Sequence, residues 1–594
     1  MNILGVSCYY HDAAAALLRD GQLIAAAEEE RFSRVKHDSG FPRNAISFCL
    51  EAGKIHGSDL DYVVFFEKPF RKLDRILASV LQTYPRSWKV FRESMIGWAL
   101  DKLWVASTLQ AELGIDRKRV LFSEHHLSHA GSAFLCSPFQ EAAILTVDGV
   151  GEWVTTACGI GRGNQIHLTK QIEFPHSLGL LYSAFTAFLG FEVNEGEYKV
   201  MGMAPYGRPL YEDRVWKLVR QNADGSFALN MDYFCFHHST ERIFDGRFTE
   251  LFGDARPQGM PFFTESSGYP KYFGTAPENY ANLCRKNQYY ADVAASVQKV
   301  TEELVVGLAR RLYDETHQKK LCMAGGVGLN SVANSRILRE TEFEELFVQP
   351  APGDSGGALG AALWVYHSLL GKPREFRMEH AYWGRGFSDR EIETFLTDKN
   401  IPYRHVKDTN ELLDCVVEKL TGGNVIGWFQ GRFEWGPRAL GNRSILADPR
   451  RPEMKDILNS KIKFREPYRP FAPSVLTERA EWYFDLPEAS HHYPARFMQY
   501  VVPTRQSQRE ALPAVTHVDG TARVQTVFLE QNPRYWALID RFGQATGIPV
   551  VLNTSFNLKG EPVVNTPADA ASTFFRSEMD CLVMGDFVVE KSAC

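Results

Sequence analysis

The chain has 594 residues, 44% of them hydrophobic, with 66 Lys+Arg against 72 Asp+Glu and a net charge of −6. This is the make-up of a globular protein with more than one core. The absence of a Lys/Arg tract argues against a nucleic-acid partner, and no apolar run is long enough to cross a membrane. The start, MNILGVSCYYHD, lacks a basic leader and cleavage site, and the ten cysteines are scattered with no CxxC pair. A cytoplasmic protein with reduced thiols is therefore expected.

Taken in order, Asn2 to Ser7 is an apolar strand, followed by a second strand, a turn at Asp20-Gly21 and a third strand from Gln22 to Ala27. The pattern recurs with strands at 142–147, 153–160 and 165–172, separated by turns at Asp148-Gly149 and 162–164. Such a repeat of supersecondary units is the layout of actin-like ATPase folds. Between the copies, 43–52 reads as a helix, 61–66 as a strand and 69–112 as a helical insertion. Residues 191–207 form a glycine-rich stretch with Glu195, Glu197 and Lys199, and 208–287 is an irregular aromatic excursion. An amphipathic helix spans 289–317, with Val293, Val297, Val300, Leu304, Leu308 and Leu312 on one face. A strand at 320–324 then runs into Gly325-Gly326-Val327-Gly328 and a helix from about Asn330. A strand, a glycine loop and a helix N-terminus together suit a nucleotide phosphate, although the same turn also serves packing alone. A strand at 345–349 leads to Asp354, read as a loop residue before a helix at 358–370. The domain boundary falls within 371–387. Beyond it, helices at 389–396 and 409–421 precede a strand at 424–429.

Two constellations carry chemistry. His125 and His129 are four apart, which on a helix puts both imidazoles on one face. Asp148 ends the buried strand at 142–147, and Asp354 follows another strand. Two imidazoles and two carboxylates suit iron(II), manganese or zinc better than copper. The alternative is two ordinary buried or surface histidines, and His126 could replace one of the pair. The second constellation gathers Arg432, Arg438, Arg443, Lys461, Lys463, Arg465 and Arg469 within 38 residues, interleaved with glycine and proline. Arginines in turn-forming sequence can converge on a phosphate or carboxylate. Asn553, Thr554, Ser555 and Asn557 lie at a later turn, where they could position a substrate or form Asx turns.

The segments EHHLSHA, LTVDGVGEW, EGEYKVMGMAPYG, AGGVGLN, PAPGDSGGALGAA, GRFEWGPRALGNRSI, REPYRPFAPSV, HVDGTARVQTV and LNTSFNLKGEPVV together resemble the bacterial O-carbamoyltransferases of nodulation, cephamycin and tobramycin biosynthesis. The resemblance spans nearly the whole chain in order. It implies an α/β protein with a duplicated actin-like domain over 1–371, carrying the two insertions, and a YrdC-like α/β domain over 388–594. It also implies two reactions. Carbamoyl phosphate and ATP give carbamoyl adenylate in the second domain, and the first passes the carbamoyl group to a hydroxyl of a small natural product, releasing AMP. On this resemblance His125, His129, Asp148 and Asp354 hold iron(II) or another divalent metal. Gly149, Gly325, Gly326 and Asn330 match the nucleotide loops, with Glu197 and Lys199 in a partner loop. Arg438, Arg443, Lys463, Arg469 and Asn553 fall in the adenylate-forming motifs, and Mg2+ is expected with ATP. His11, beside Asp12 at the end of the first strand, is the candidate general base, with a phosphate-contacting or structural role as the alternative. A homodimer is compatible with the sequence. The rival function is an actin-like small-molecule kinase or ATPase, which leaves the arginine-rich domain idle. A metallopeptidase is disfavoured because His126 stands where HExxH needs its glutamate.

Overall fold

A computed structural model describes residues 1–100, 102–270 and 274–591. Residue 101 of the helical insertion, 271–273 of the aromatic excursion and the last three positions lie outside the described residues. The chain divides into two compact units. The first holds Met1–Glu29, His37–Thr264 and Ala281–Met378. The second holds Glu379 onward together with Glu30–Lys36 and Glu265–Tyr280.

The first unit contains the same sheet twice. β1 (Asn2–Ser7), β2 (Ala14–Arg19) and β3 (Gln22–Glu28) form an antiparallel meander, and β4 (Tyr62–Phe65) and β5 (Val120–Phe122) add in parallel beside β1, giving the order β3-β2-β1-β4-β5. β6 (Glu141–Val147), β7 (Val154–Arg162) and β8 (Gln165–Glu173) repeat the meander. After a separate short pair, β9 (Val219–Gln221) and β10 (Phe227–Leu229), β11 (Lys320–Ala324) and β12 (Glu345–Phe347) repeat the parallel extension, giving β12-β11-β6-β7-β8. The duplicated actin-like layout expected from the sequence is present as one topology drawn twice. The central strands β1, β6 and β11 are apolar and almost wholly buried, as strands covered on both faces must be.

Two helices brace these sheets crosswise. The helix after β5, His125–Phe134, packs on β6, β7, β8 and β11 of the other sheet. The helix after β12, Asp354–Trp364, packs on β1, β2 and β4. The helices meet through glycine. A Cβ on Gly360 would lie 1.8 Å from the Ser128 carbonyl oxygen, and one on Gly131 would lie 2.6 Å from that of Gly360. Gly5 of β1 takes the Ala358 carbonyl in the same way, at 1.8 Å from a would-be Cβ. Backbone approach of this kind requires the absence of a side chain.

Three sequence expectations shift. Asp354 is not in a loop: it opens the helix, in the first turn, where an acidic residue is favoured by the helix dipole. The small residues of DSGGALGAALW resemble loop sequence but serve close packing. The long amphipathic helix starts earlier, at Tyr280, and runs to Thr316, because its polar first turns hid its start. The stretch 191–207 includes a helix, Glu197–Met203.

The second unit is an α/β domain built on an eight-stranded mixed sheet. Its strands are β13 (Arg404–His405), β14 (Ile426–Phe429), β15 (Arg443–Ala447), β16 (Ala472–Leu476), β19 (Gln525–Val527), β20 (Val550–Ser555), β21 (Cys581–Met584) and β22 (Phe587–Glu590), in the order β13-β22-β21-β14-β15-β20-β16-β19. β17 (Val501–Pro503) and β18 (Thr521–Arg523) form a separate pair. Helices Thr409–Thr421 and Pro533–Thr546 bury Leu412, Val416, Leu538 and Phe542 against Trp428, Leu446 and Val551 of the sheet. Among the described residues, no helix is long and apolar enough to cross a membrane.

Gly360→Ala is expected to destabilise the first unit by about 1–3 kcal/mol, because the new methyl meets backbone rather than a movable side chain. Urea denaturation checks this, and a midpoint equal to that of the parent would contradict it.

Candidate functional site

The crossed helices place His125 and His129 on one helix face, opposite Asp354 at the start of the other. Asp148 arrives from the end of β6. One donor atom from each of the four lies within 4.8 Å of all the others. His125 Nε2 is 3.1 Å from Asp148 Oδ2 and 3.5 Å from Asp354 Oδ1; His129 Nε2 is 3.7 and 3.6 Å from the same two atoms. The two Nε2 atoms are 3.0 Å apart. Ligands about 2.1 Å from a common ion stand about 3–4 Å from one another, so the four fit one divalent cation. Both imidazoles are fully buried, their Nδ1 atoms have no hydrogen-bond partner, and neither has Asp354 Oδ2. Burial alone would push the Asp148 carboxyl up, but the hydrogen bonds and charges of His125 and His129 outweigh it and hold it well below the usual range. For His129, burial opposes the charged ring, yet Asp148 and Asp354 raise its pKa to about 9. His126 does not join the set. Its Nδ1 is 2.7 Å from Thr146 Oγ1, and burial followed by the two neighbouring imidazoles keeps its pKa well below normal.

The surroundings hold these ligands in place. Glu152 accepts the His125 backbone N–H at 3.0 and 3.1 Å and that of Lys68 at 2.8 Å. Gly151 leaves room for the His125 ring, which a Cβ there would meet at 2.9 Å. Glu67 Oε2 lies 3.9 Å from His125 Nδ1 and is paired at 2.7 Å with the equally buried Lys72. The glycine loop reaches the same group, because the Gly326 N–H donates to Asp148 Oδ1 at 2.7 Å while Gly325 adopts φ 93°. Gly149 accepts from Ser177 Oγ at 2.6 Å. Asn330 caps the next helix through the Ala333 N–H and exchanges hydrogen bonds with Gln298. Glu197 accepts from Ser183 Oγ at 2.9 Å and from the Asn194 N–H at 3.0 Å, and Lys199 Nζ stands 5.8 Å from the Phe191 ring. His11 Nδ1 is 2.9 Å from Asp12 Oδ2, and its Nε2 is 2.9 Å from the Asn194 carbonyl oxygen. Burial lowers the His11 pKa, but the hydrogen bond and charge of Asp12 and the charge of Asp354 raise it to about 10.

In the second unit the cations sort into two groups. Lys463 is buried, and its ammonium donates to Ser555 Oγ at 3.2 Å and to the carbonyl and side-chain oxygens of Asn557 at 3.0 and 2.8 Å. It follows a π-turn, Leu458–Ile462, and precedes Phe464 at φ 47°. Burial, then Arg465 and Arg469, hold its pKa well below normal. The guanidinium of Arg523 on β18 is likewise depressed by burial and then by Arg438, Arg465 and Arg469. Arg438, Lys463, Arg465, Arg469 and Arg523 thus act on one another electrostatically, with Glu466 standing 3.5 Å from Arg469 as a partial counter-charge, and an anion would relieve the remaining repulsion. Asn553 on β20 donates to the Ala439 carbonyl at 3.1 Å, to Ser474 Oγ at 3.1 Å and to Gln525 Oε1 at 2.9 Å, with its own Oδ1 buried and unpartnered.

Arg443 behaves differently from the expectation of a substrate contact. It is fully buried, lies over the Phe429 ring at 3.7 Å and donates to the carbonyls of Gln430, Asn442, Arg385 and Gly431 at 2.5–3.2 Å. Burial lowers its pKa to about 9, so it stays charged at neutral pH. Its role is to hold the loop between β14 and β15, alongside Glu434, whose Oε1 accepts the Leu440, Asn442 and Arg443 N–H groups. Arg432 binds the Gly384 and Trp383 carbonyls, and Lys461 pairs with Glu578 at the surface. Arg523, His37 and Glu152 escaped the sequence reading because no spacing marks them.

Residues 2–363 match the family described as Carbamoyltransferase N-terminus, and residues 417–591 match Carbamoyltransferase C-terminus. The chain belongs to the carbamoyltransferase family. Among its relatives in that family are an uncharacterized protein of Synechocystis, 45% identical over 100% of this chain and 97% of the relative, and nodulation protein NolNO of Sinorhizobium fredii, 39% identical over 98% and 79%. The 3'-hydroxymethylcephem-O-carbamoyltransferase of Amycolatopsis lactamdurans is 38% identical over 45% of this chain and 48% of its own length. This carbamoyltransferase is thus similar to proteins of two of the three branches named by the sequence resemblance.

His129→Ala is expected to take up far less of an added divalent metal than the parent, measured by elemental analysis after dialysis, while keeping its far-UV circular dichroism. Arg443→Ala is expected to lower stability by about 3 kcal/mol or more, because it leaves several buried carbonyls without their donor. An unchanged denaturation midpoint would contradict the loop-holding role.

Proposed function

We propose that this chain is an ATP-dependent O-carbamoyltransferase that modifies a hydroxyl of a small natural product. The observation that carries the reading is a buried His2Asp2 group in one unit and a five-cation region in the other, within one chain of the family. In the second unit, carbamoyl phosphate is hydrolysed to carbamate and phosphate. A carbamate oxygen attacks the ATP α-phosphorus, and pyrophosphate leaves. Arg438, Lys463, Arg465, Arg469 and Arg523 offset the converging negative charges and hold the reactants in line, while Mg2+ accompanies ATP. Nothing covalent is required of the protein in this step.

In the first unit, the acceptor oxygen attacks the carbamoyl carbon, the bond to the AMP phosphate oxygen breaks, and the hydroxyl proton passes to His11 Nε2. Both ring nitrogens of His11 face oxygens that only accept hydrogen bonds, an arrangement that suits the protonated ring. The Asn194 carbonyl must therefore leave Nε2, and Nε2 must give up its proton, before His11 can act as the base. His125, His129, Asp148 and Asp354 would hold a divalent ion, iron(II) by resemblance, which would supply Lewis acidity. Gly149, Gly325, Gly326 and Asn330, with Glu197 and Lys199, line the nucleotide side. The acceptor is a small hydroxyl compound rather than a nucleic acid.

Incubation of hydroxyl-bearing natural products with ATP and carbamoyl phosphate is expected to give a product heavier by one carbamoyl group in mass spectrometry. A phosphorylated acceptor would instead support a kinase. Asp354→Ala is expected to abolish carbamoylation and spare pyrophosphate release, and Arg469→Ala to do the reverse with supplied adenylate. Equal loss of both activities in either variant would refute this division.

A further inference from the structure

Asp12 is shared. Its Oδ2 faces His11 Nδ1 at 2.9 Å, and its Oδ1 faces His37 Nδ1 at 2.7 Å. The two rings stand 4.8 Å apart, tilted at 42°. All three side chains are about three-quarters buried, with 24–27% exposed. His37 comes from the segment after β3. That segment is strapped to the His11 loop by two backbone hydrogen bonds, Tyr9 N–H to the Ser39 carbonyl at 2.7 Å and Ala13 N–H to the Asp38 carbonyl at 2.8 Å. Three non-glycine residues around His11 hold left-handed backbone: Tyr9 at φ 70°, His37 at φ 53° and Asn194 at φ 68°. Conformations of this cost persist where the surroundings enforce them, and they gather at functional sites.

We propose that His37 is a positioning residue for the transfer step. It donates its Nδ1–H to Asp12 and fixes that carboxylate, so that Asp12 in turn keeps the His11 proton on Nδ1 and aims Nε2 at the acceptor hydroxyl. This rests on His11 acting as the base in the proposed function. Without His37, one carboxylate oxygen loses its donor and the Asp12 side chain can rotate. His11 then loses both its fixed tautomer and its aim. His37 touches neither substrate nor the metal ligands in this scheme.

Two variants test it. His37→Ala is expected to lower kcat for acceptor carbamoylation about a hundredfold, with the acceptor KM within about threefold and pyrophosphate release unchanged. His37→Asn, whose amide nitrogen occupies the Nδ1 position, is expected to recover at least about tenfold of that loss. An unchanged kcat in His37→Ala, an equal fall in pyrophosphate release, or no recovery in His37→Asn overturns the proposal. The second measurement does not depend on activity. At a pH alkaline enough to leave a single proton on His11, spectra of protein labelled with 15N-histidine are expected to show that proton on Nδ1 in the parent and in His37→Asn, and shared between the two nitrogens in His37→Ala. A His11 signal identical in all three proteins overturns the positioning role even if no acceptor is found. Absence of carbamoylation by the parent protein, with the expected spectra, would count against the proposed function and not against His37.

Discussion

A side-chain-free contact between the two helices that brace the sheets is also what gathers the His2Asp2 group. Each sheet sends a helix onto the other, and the two helices touch at Gly131 and Gly360 with no side chain between them. A helix pair normally stands 8–10 Å apart, set by the side chains at the contact. Removing those side chains lets His129 on one helix reach the first residue of the other. The arrangement exposes backbone oxygens to each other's helix, so it tolerates no added methyl. Three of the four donors belong to these two helices, and the fourth ends the strand beneath one of them. The group is therefore as rigid as the packing that forms it.

The two units handle charge in opposite ways. In the first, two carboxylates and two imidazoles meet in a buried position and leave ring nitrogens unpaired, a balance suited to a positive ion. In the second, five cations converge with Lys463 almost wholly buried, a balance suited to a polyanion. Arg443 and Glu434 stand apart from both. They are opposite charges, each engaged with backbone groups of the same loop, and they shape that loop without presenting charge to a ligand.

Much of this was legible because local periodicity carried it. The meander at 2–28 and its recurrence at 141–173 follow from alternating apolar runs and Asp-Gly or Gly-Asn turns, and the repeat is visible even though the sequences differ. His125 and His129 were legible from helical spacing, and Asp148 from its place at a strand end. Asp354 was found for the right residue in the wrong setting, because small-residue helix sequence and glycine-loop sequence look alike. Arg443 shows the limit of composition: an arginine in a turn-rich stretch reads the same whether its guanidinium meets a ligand or four carbonyls. His37 reaches its cluster through tertiary folding alone, and Arg523, though it lies in the quoted segment HVDGTARVQTV, has no spacing that singles it out.

The short helix at Glu30–Ser33 belongs to the unit whose remaining bulk begins some 350 residues later. Arg31 is 1% exposed and caps the Gly436 carbonyl at 2.7 Å, while Arg34 holds the Val563 and Pro562 carbonyls at 2.7 and 2.9 Å. A fragment beginning at residue 379 would lack both plugs, and one ending there would leave them stranded in water. On the ribosome, the first thirty-odd residues emerge long before their partners exist. The later half can therefore complete its core only by recruiting a piece of chain made at the outset, which ties the maturation of the two halves into a single event.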